Sequence, residues 1–250
     1  MSTHPTNPRG LGEIIITARG FDEYCAMFGL SDADLAGRVI LDCPGGAGSF
    51  ATRARAVGAT VTSVDPAYAT PVEEFLARAR RDTLHGNDYT RTHPEYYVWT
   101  WFQDADIHQA RRLAALDAFI ADYRGPDARY IPALLPDLPF PDRTFDLVLS
   151  AHLMFTYPDH FDRDASLAAL RELVRVSRCE VRVFPLIDTT ATPSTYLDDL
   201  RATLAADGVP SALRRVPYEF QRGAHTMLVL DTTDFQNPGS TPAESSLRSQ

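Results

Sequence analysis

Residues 41–48, Leu41-Asp42-Cys43-Pro44-Gly45-Gly46-Ala47-Gly48, leave a short apolar run and enter a helical pattern. Glycines at such a turn let the backbone bend sharply and approach a ligand, while the helix that follows presents unpaired N–H groups. Asp65 ends the next strand-like run, where a carboxylate can take both hydroxyls of a ribose. Nucleoside binding is the chemistry these positions offer. Two plainer readings stand beside it: a glycine turn that is only a sharp connection, and an Asp65 that caps the chain before Pro66. Gly46-x-Gly48-x-x-Ala51 with Asp65 also reads as a loose dinucleotide fingerprint. Asp42 argues against a dinucleotide, since a carboxylate before the glycines repels a pyrophosphate and attracts an ammonium. The combination favours a ligand with a ribose and an ammonium and no phosphate.

His152 is the candidate general base, two residues past a strong strand pattern, because its imidazole titrates near neutrality. A histidine bonded to a loop carbonyl is the alternative. Tyr157 follows on the same loop as a second catalytic candidate, while Asp159 and His160 fit the start of a helix and solvent. From Tyr89 to Phe102 the chain carries Tyr89, His93, Tyr96, Tyr97, Trp99, Trp101 and Phe102. Such a segment can wall a pocket and face a cationic ligand, or merely pack onto a sheet. Glu219, Gln221 and His225 are further candidates for the pocket mouth.

These residues need elements to hold them. Buried strand patterns lie at 39–41, 60–64, 129–132, 145–150 and 180–184, alternating with helical patterns at 49–57, 72–81, one marked by Leu167, Leu170 and Val174, and 196–206. Another helix places Leu113, Leu116, Ile120 and Tyr123 on one face and stops at Gly125-Pro126. Runs at 213–220 and 226–230, joined by a turn at Arg222-Gly223, predict an antiparallel hairpin. The expected architecture is a Rossmann-like, doubly wound, mostly parallel seven-stranded sheet. It has an antiparallel edge hairpin and a helical, aromatic insertion between strands two and three. One domain spans 11–235, with 84–126 as the pocket cap and loose polar tails at 1–10 and 236–250.

Composition narrows the function further. All 24 basic residues are arginine, so Schiff-base, pyridoxal-anchoring and P-loop lysines are excluded. A net charge of -9 without an arginine cluster is a poor footprint for nucleic acid. Cys25, Cys43 and Cys179 form neither a disulfide framework nor a zinc spacing, and no histidine set has metal-ligand spacing. The first residues lack a signal-peptide core and no window reaches membrane-span length, so a cytoplasmic location is the default expectation.

Three stretches together resemble the class I S-adenosylmethionine-dependent methyltransferases: residues 41–50, Val64-Asp65-Pro66, and Leu138-Pro139-Phe140-Pro141-Asp142-Arg143-Thr144-Phe145-Asp146-Leu147-Val148. The third is the most specific, and with residues 65–68 and 218–223 the chain is also similar to a poorly characterised bacterial methyltransferase-like branch. The resemblance implies S-adenosyl-L-methionine as cofactor, with Asp42, Gly45, Gly46, Gly48 and Phe50 around its methionine and ribose. It implies Asp65 on the ribose hydroxyls, Pro66 and Tyr68 beside the adenine, Ser150 near the sulfonium, and Tyr24 on a segment closing over the site. Pro44 stands where the family has its first glycine. Ala133-Leu134-Leu135 lacks the acidic residue many members place there, which leaves backbone groups near Leu135 to read the adenine. The implied activity is methyl transfer to a small molecule. Cyclisation or lysis of the cofactor, releasing methylthioadenosine and an azetidine-2-carboxylate-type product, uses the same site. So does a cofactor-binding partner or sensor without turnover.

Overall fold

Three apolar residues in a row, Val39-Ile40-Leu41, cannot all face one side of a sheet. They form β1 (Val39–Asp42), central in the sheet with Ile40 and Leu41 fully buried. β1 pairs in parallel with β2 (Thr60–Val64), Ile40 opposite Val61, and with β4 (Phe145–Ala151), Ile40 opposite Leu147. β3 (Tyr130–Ile131) continues beyond β2, and β5 (Ser177–Phe184) beyond β4. The last two strands, β6 (Ser211–Arg215) and β7 (Thr226–Asp231), run antiparallel to each other, with β7 also antiparallel to β5. The order β3-β2-β1-β4-β5-β7-β6 is the expected doubly wound sheet with its antiparallel edge. This computed structural model describes residues 13–237, so the tail expected at 1–10, and that at 236–250 apart from its first two residues, lie outside the described residues.

Alternation along the strands builds two layers. Ile40, Val61, Leu147 and Leu149 face α1 (Phe21–Phe28) and α3 (Phe50–Ala56), close to the short α2 (Asp32–Leu35). Leu41, Val148, Val181 and Leu228 face α6 (Arg163–Val176) and α7 (Leu197–Ala206). Asp162 starts α6, its carboxylate accepting the Ala165 N–H at 2.8 Å. Between β2 and β3 stand α4 (Val72–Thr92) and α5 (Ala105–Tyr123), which bury Phe75, Leu76, Leu116 and Phe119 in a third cluster.

Three elements differ from expectation. The helix predicted over 72–81 continues to Thr92, with Thr83, Asn87 and Thr90 buried at a cavity wall. That face carries no apolar period to detect. Along α5 the buried stripe is His108, Arg112, Ala115, Leu116 and Phe119, with Leu113, Ile120 and Tyr123 only partly covered. The strand predicted over 213–220 is displaced to 211–215. Beyond Arg215, the side chains of Val216, Tyr218 and Phe220 pack inward, and Gln221 bridges to Tyr97. Among the described residues no helix is long and apolar enough to cross a membrane.

Candidate functional site

The chain reverses direction across the sheet between β1 and β4, and in open α/β sheets ligands bind beyond the strand ends at such a point. A groove of about 380 Å³ lies there. Its walls are 43–46 after β1, 64–67 after β2, 133–135, His152 and Leu153 after β4, and the segment 14–16. Of the expected cofactor contacts, Gly45, Gly46, Asp65, Pro66 and Leu135 stand on it.

The amide hydrogens of the glycine turn decide what the groove can hold. Gly45 N–H donates to Val64 O (2.9 Å), Ala47 N–H to Thr17 O (3.1 Å) and Ser49 N–H to Arg19 O (2.9 Å). Gly48 N–H reaches Gly45 O at 3.3 Å and Gly46 N–H reaches Asp65 Oδ2 at 3.1 Å. Each N–H from Gly45 to Ser49 is therefore committed within the chain, and the turn offers no donor array to a phosphate. Glycine is required here sterically. A Cβ on Gly45 would lie 2.6 Å from Tyr68 Oη and 2.8 Å from Ser63 Cβ. Gly46 has φ +52°, with Thr17 O 3.1 Å from any added Cβ.

Asp65 does cap the chain, since Oδ1 accepts the Ala67 N–H at 2.9 Å, alongside the Gly46 bond on Oδ2. Those two donors fix the carboxylate and leave acceptor capacity on each oxygen at the groove wall. Burial raises its pKa, and the two N–H groups work against that rise.

Asp42 requires a correction. Its carboxylate is 1% exposed and lies on neither cavity wall, so the two acids do not grip one ligand from a shared cleft. Tyr24 donates its phenol to Asp42 Oδ1 at 3.1 Å, and the Tyr24 ring stacks on Phe50 at 5.1 Å. Burial pushes Asp42 up to about 7, with the Tyr24 bond opposing the rise and the Asp65 charge adding to it. Tyr24, Phe50, Gly48 and Tyr68 likewise stand behind the turn instead of on the groove. The reason is the segment Thr17–Arg19, whose carbonyls occupy the turn's open side, and Tyr68, whose phenol donates to Gly46 O at 2.8 Å from below. Ser150 is on neither wall, its Oγ buried on β4 without a hydrogen-bond partner among the described residues.

Behind His152 opens a second, smaller cavity of about 80 Å³, room for roughly half a dozen waters. His152 and Ile15 belong to both walls and separate the two spaces. His152 sits at φ +50°, a left-handed conformation uncommon outside glycine, anchored by its N–H on Phe184 O at 2.7 Å. Its buried Nε2 has no hydrogen-bond partner among the described residues. Burial, then the charges of Arg19 and Arg112, hold its pKa well below the usual range, so the imidazole is neutral. Tyr157 lines the same chamber, its phenol oxygen accepting the Ile15 N–H at 3.4 Å, and burial raises its pKa.

Arg112 on the chamber wall is held by residues that local spacing does not reveal. Arg112 grips Glu23 with two bonds of 2.6 and 2.7 Å, and Tyr218 donates to the same carboxylate at 2.8 Å. Arg112 Nε reaches His108 Nε2 at 3.1 Å, and His108 Nδ1 meets Asn87 Oδ1 at 2.8 Å. Burial, followed by the neighbouring arginines, pushes His108 down to about 2. These residues come from α1, α4, α5 and the 216–225 connection.

Of the aromatic segment, Tyr97 lines the chamber, while Phe102 packs on His108 and Phe220, and Trp101 on Tyr218. Gln221 reaches the chamber wall; Glu219 instead accepts the Gly223 N–H, and His225 pairs with Thr226. Asp159 and His160 are exposed ahead of α6. Among the described residues no group of three or more His, Cys, Asp or Glu side chains is placed to hold a metal ion.

Against known proteins, the chain is 27% identical over 225 residues to an uncharacterized protein of Methanocaldococcus jannaschii, covering 88% of this chain and 97% of that one. No protein-family model matches it. Solved structures similar to it include the magnesium protoporphyrin IX methyltransferase of Synechocystis with bound S-adenosylmethionine. That pair shares 15% identity over 80% of this chain and 72% of the other, with a TM-score of 0.45. A second is the Burkholderia thailandensis 1,6-didemethyltoxoflavin-N1-methyltransferase with bound 1,6-didemethyltoxoflavin and S-adenosylhomocysteine. Here the values are 16% identity, 85% and 80% coverage, and a TM-score of 0.46.

Proposed function

We propose that the chain is an S-adenosylmethionine-dependent methyltransferase with a small-molecule acceptor, the adenosine lying in the groove and the acceptor in the chamber behind His152. The observation that carries this reading is the groove's chemistry: a fixed, acceptor-rich Asp65 beside a turn whose amide hydrogens are all spent. That suits a ribose and denies a diphosphate. The three sequence stretches point to the same ligand.

S-adenosylmethionine supplies a methyl group on a sulfonium already activated for displacement. The chain's own task is then to orient an acceptor in a dry space. Asp65 orients the ribose, Pro66 and the backbone near Leu135 flank the adenine, and Ile14–Ile16 exclude water from above. Tyr24, Asp42, Gly48, Phe50, Tyr68 and Ser150 support the turn and strand ends from behind. His152, neutral with a partnerless Nε2, accepts a proton or hydrogen bond from the acceptor at the junction of the two spaces. Tyr157 holds Ile15 against that junction. Residues 84–126 act as the chamber's cap within a single domain, and the net charge of -9 favours a small-molecule acceptor over a nucleic acid.

Titration calorimetry with S-adenosylhomocysteine tests this. Binding is expected, weakened about tenfold or more in Asp65→Asn, the loss of hydrogen bonds to a charged acceptor. Absence of heat with both S-adenosylmethionine and S-adenosylhomocysteine would overturn it. During turnover S-adenosylhomocysteine is expected to accumulate; methylthioadenosine in its place would mean that the cofactor itself is cyclised or cleaved.

A further inference from the structure

Four residues on one cavity wall, Arg19, Thr83, His152 and Thr156, each carry a buried polar atom without a hydrogen-bond partner among the described residues: Arg19 Nε, Thr83 Oγ1, His152 Nε2 and Thr156 Oγ1. A buried polar group left unpaired is costly, so four around one space point to a polar ligand. The charges say which kind. Glu23 is occupied by two bonds from Arg112 and one from Tyr218. Arg19 Nε stands 3.7 Å from Glu23 Oε1, an ion pair too long for a hydrogen bond, and Arg19 Nη1 donates to Thr17 Oγ1 at 2.5 Å. His108 and His152 are uncharged. Arg19 and Arg112, both on the chamber wall, share the single carboxylate of Glu23, which stands outside that wall, and the wall has a surplus positive charge. Burial and the Arg112 charge lower the Arg19 pKa, as an unmatched cation requires. Ile15, Tyr97, Phe184 and Phe220 give the same wall an apolar part.

We infer that the methyl acceptor is a small carboxylate with an apolar body, its carboxylate held by Arg19 and Thr156 and its body packed on Tyr97, Phe184 and Phe220. This rests on the proposed methyl transfer. A planar guanidinium matches a carboxylate, and the missing negative charge is supplied by the ligand itself. With His152 at the far wall, an acceptor hydroxyl or amine on that body meets the junction with the groove. Arg19 is then a specificity-determining residue.

The test uses benzoate, salicylate and anthranilate against their carboxamides, by calorimetry on the full chain with and without S-adenosylhomocysteine. At least one acid is expected to bind tenfold or more tightly than its amide. Arg19→Gln is expected to abolish that preference, and Arg19→Lys to restore part of it. S-adenosylhomocysteine affinity is expected to stay within about twofold in both, since a uniform loss of binding would signal a structural defect. The inference is overturned if none of the acids surpasses its amide in the unaltered protein, a result independent of any variant's folding. It is also overturned if Arg19→Gln weakens S-adenosylhomocysteine but not methylthioadenosine, because the carboxylate held there is then the cofactor's own. Failure of both nucleosides to bind, with the acid preference intact in their absence, would remove the methyl-transfer reading and leave the anion site standing.

Discussion

Replacing Glu23 by glutamine is expected to destabilise the protein by about 3–5 kcal/mol, a large effect for an isosteric change. Glu23 is 5% exposed and is the carboxylate that both Arg112 and Tyr218 bond. Glutamine keeps the volume but removes the charge, leaving Arg19 and Arg112 as two like charges in a buried space. One of its two terminal atoms also becomes a donor facing donors. The urea midpoint gives the measurement. The double replacement Glu23→Gln with Arg112→Met is expected to recover part of the loss, because removing both halves of a buried pair is milder than stranding one. A loss below about 1 kcal/mol in the single variant would place this pair with solvent-screened ions and contradict its burial.

The second large effect depends on pH. Asp42 has a folded-state pKa near 7 against an ordinary value of 3.8, chiefly through burial. The folded protein binds this proton more tightly than the unfolded chain. The stabilisation is complete below about pH 4 and is lost as pH rises through about 7, roughly 4 kcal/mol at most. Asp42→Asn has no such proton to lose. Its stability relative to the unaltered protein is expected to climb between about pH 4 and pH 7 and to level off above about pH 8. Urea midpoints of the two proteins across that range provide the comparison. A difference that does not change with pH would show that Asp42 titrates normally and is not sealed behind the turn.

Local pattern was sufficient for the sheet. Val39-Ile40-Leu41, Thr60–Val64 and Phe145–Ser150 are runs that only a buried strand accommodates, and Gly45 and Gly46 mark a turn with no space for side chains. Asp65 was readable both as a nucleoside contact and as a cap before Pro66, and the geometry supplies the cap's partner, the Ala67 N–H. Asp42 was misplaced because a sequence shows that a carboxylate precedes the glycines, not which side of the turn it takes. The chamber was less accessible still. Glu23, Arg112 and Tyr218 are far apart in the chain and meet only through packing of α1, α5 and the 216–225 connection. Along α4, Thr83, Asn87 and Thr90 recur at helical spacing, but a polar stripe reads as a solvent-facing one, and only the packing turns it to the chamber.

The hydrogen bond from Tyr218 to Glu23 joins residues 195 positions apart, and the chamber draws its wall from Ile15 through Ala224. No contiguous fragment shorter than that can contain both sides. A ribosome making this polypeptide must therefore deliver almost the whole span before the acid meets its phenol. Until then Glu23 and its arginines can keep their hydration, and translation finishes the site at the moment when all its ions have somewhere to go.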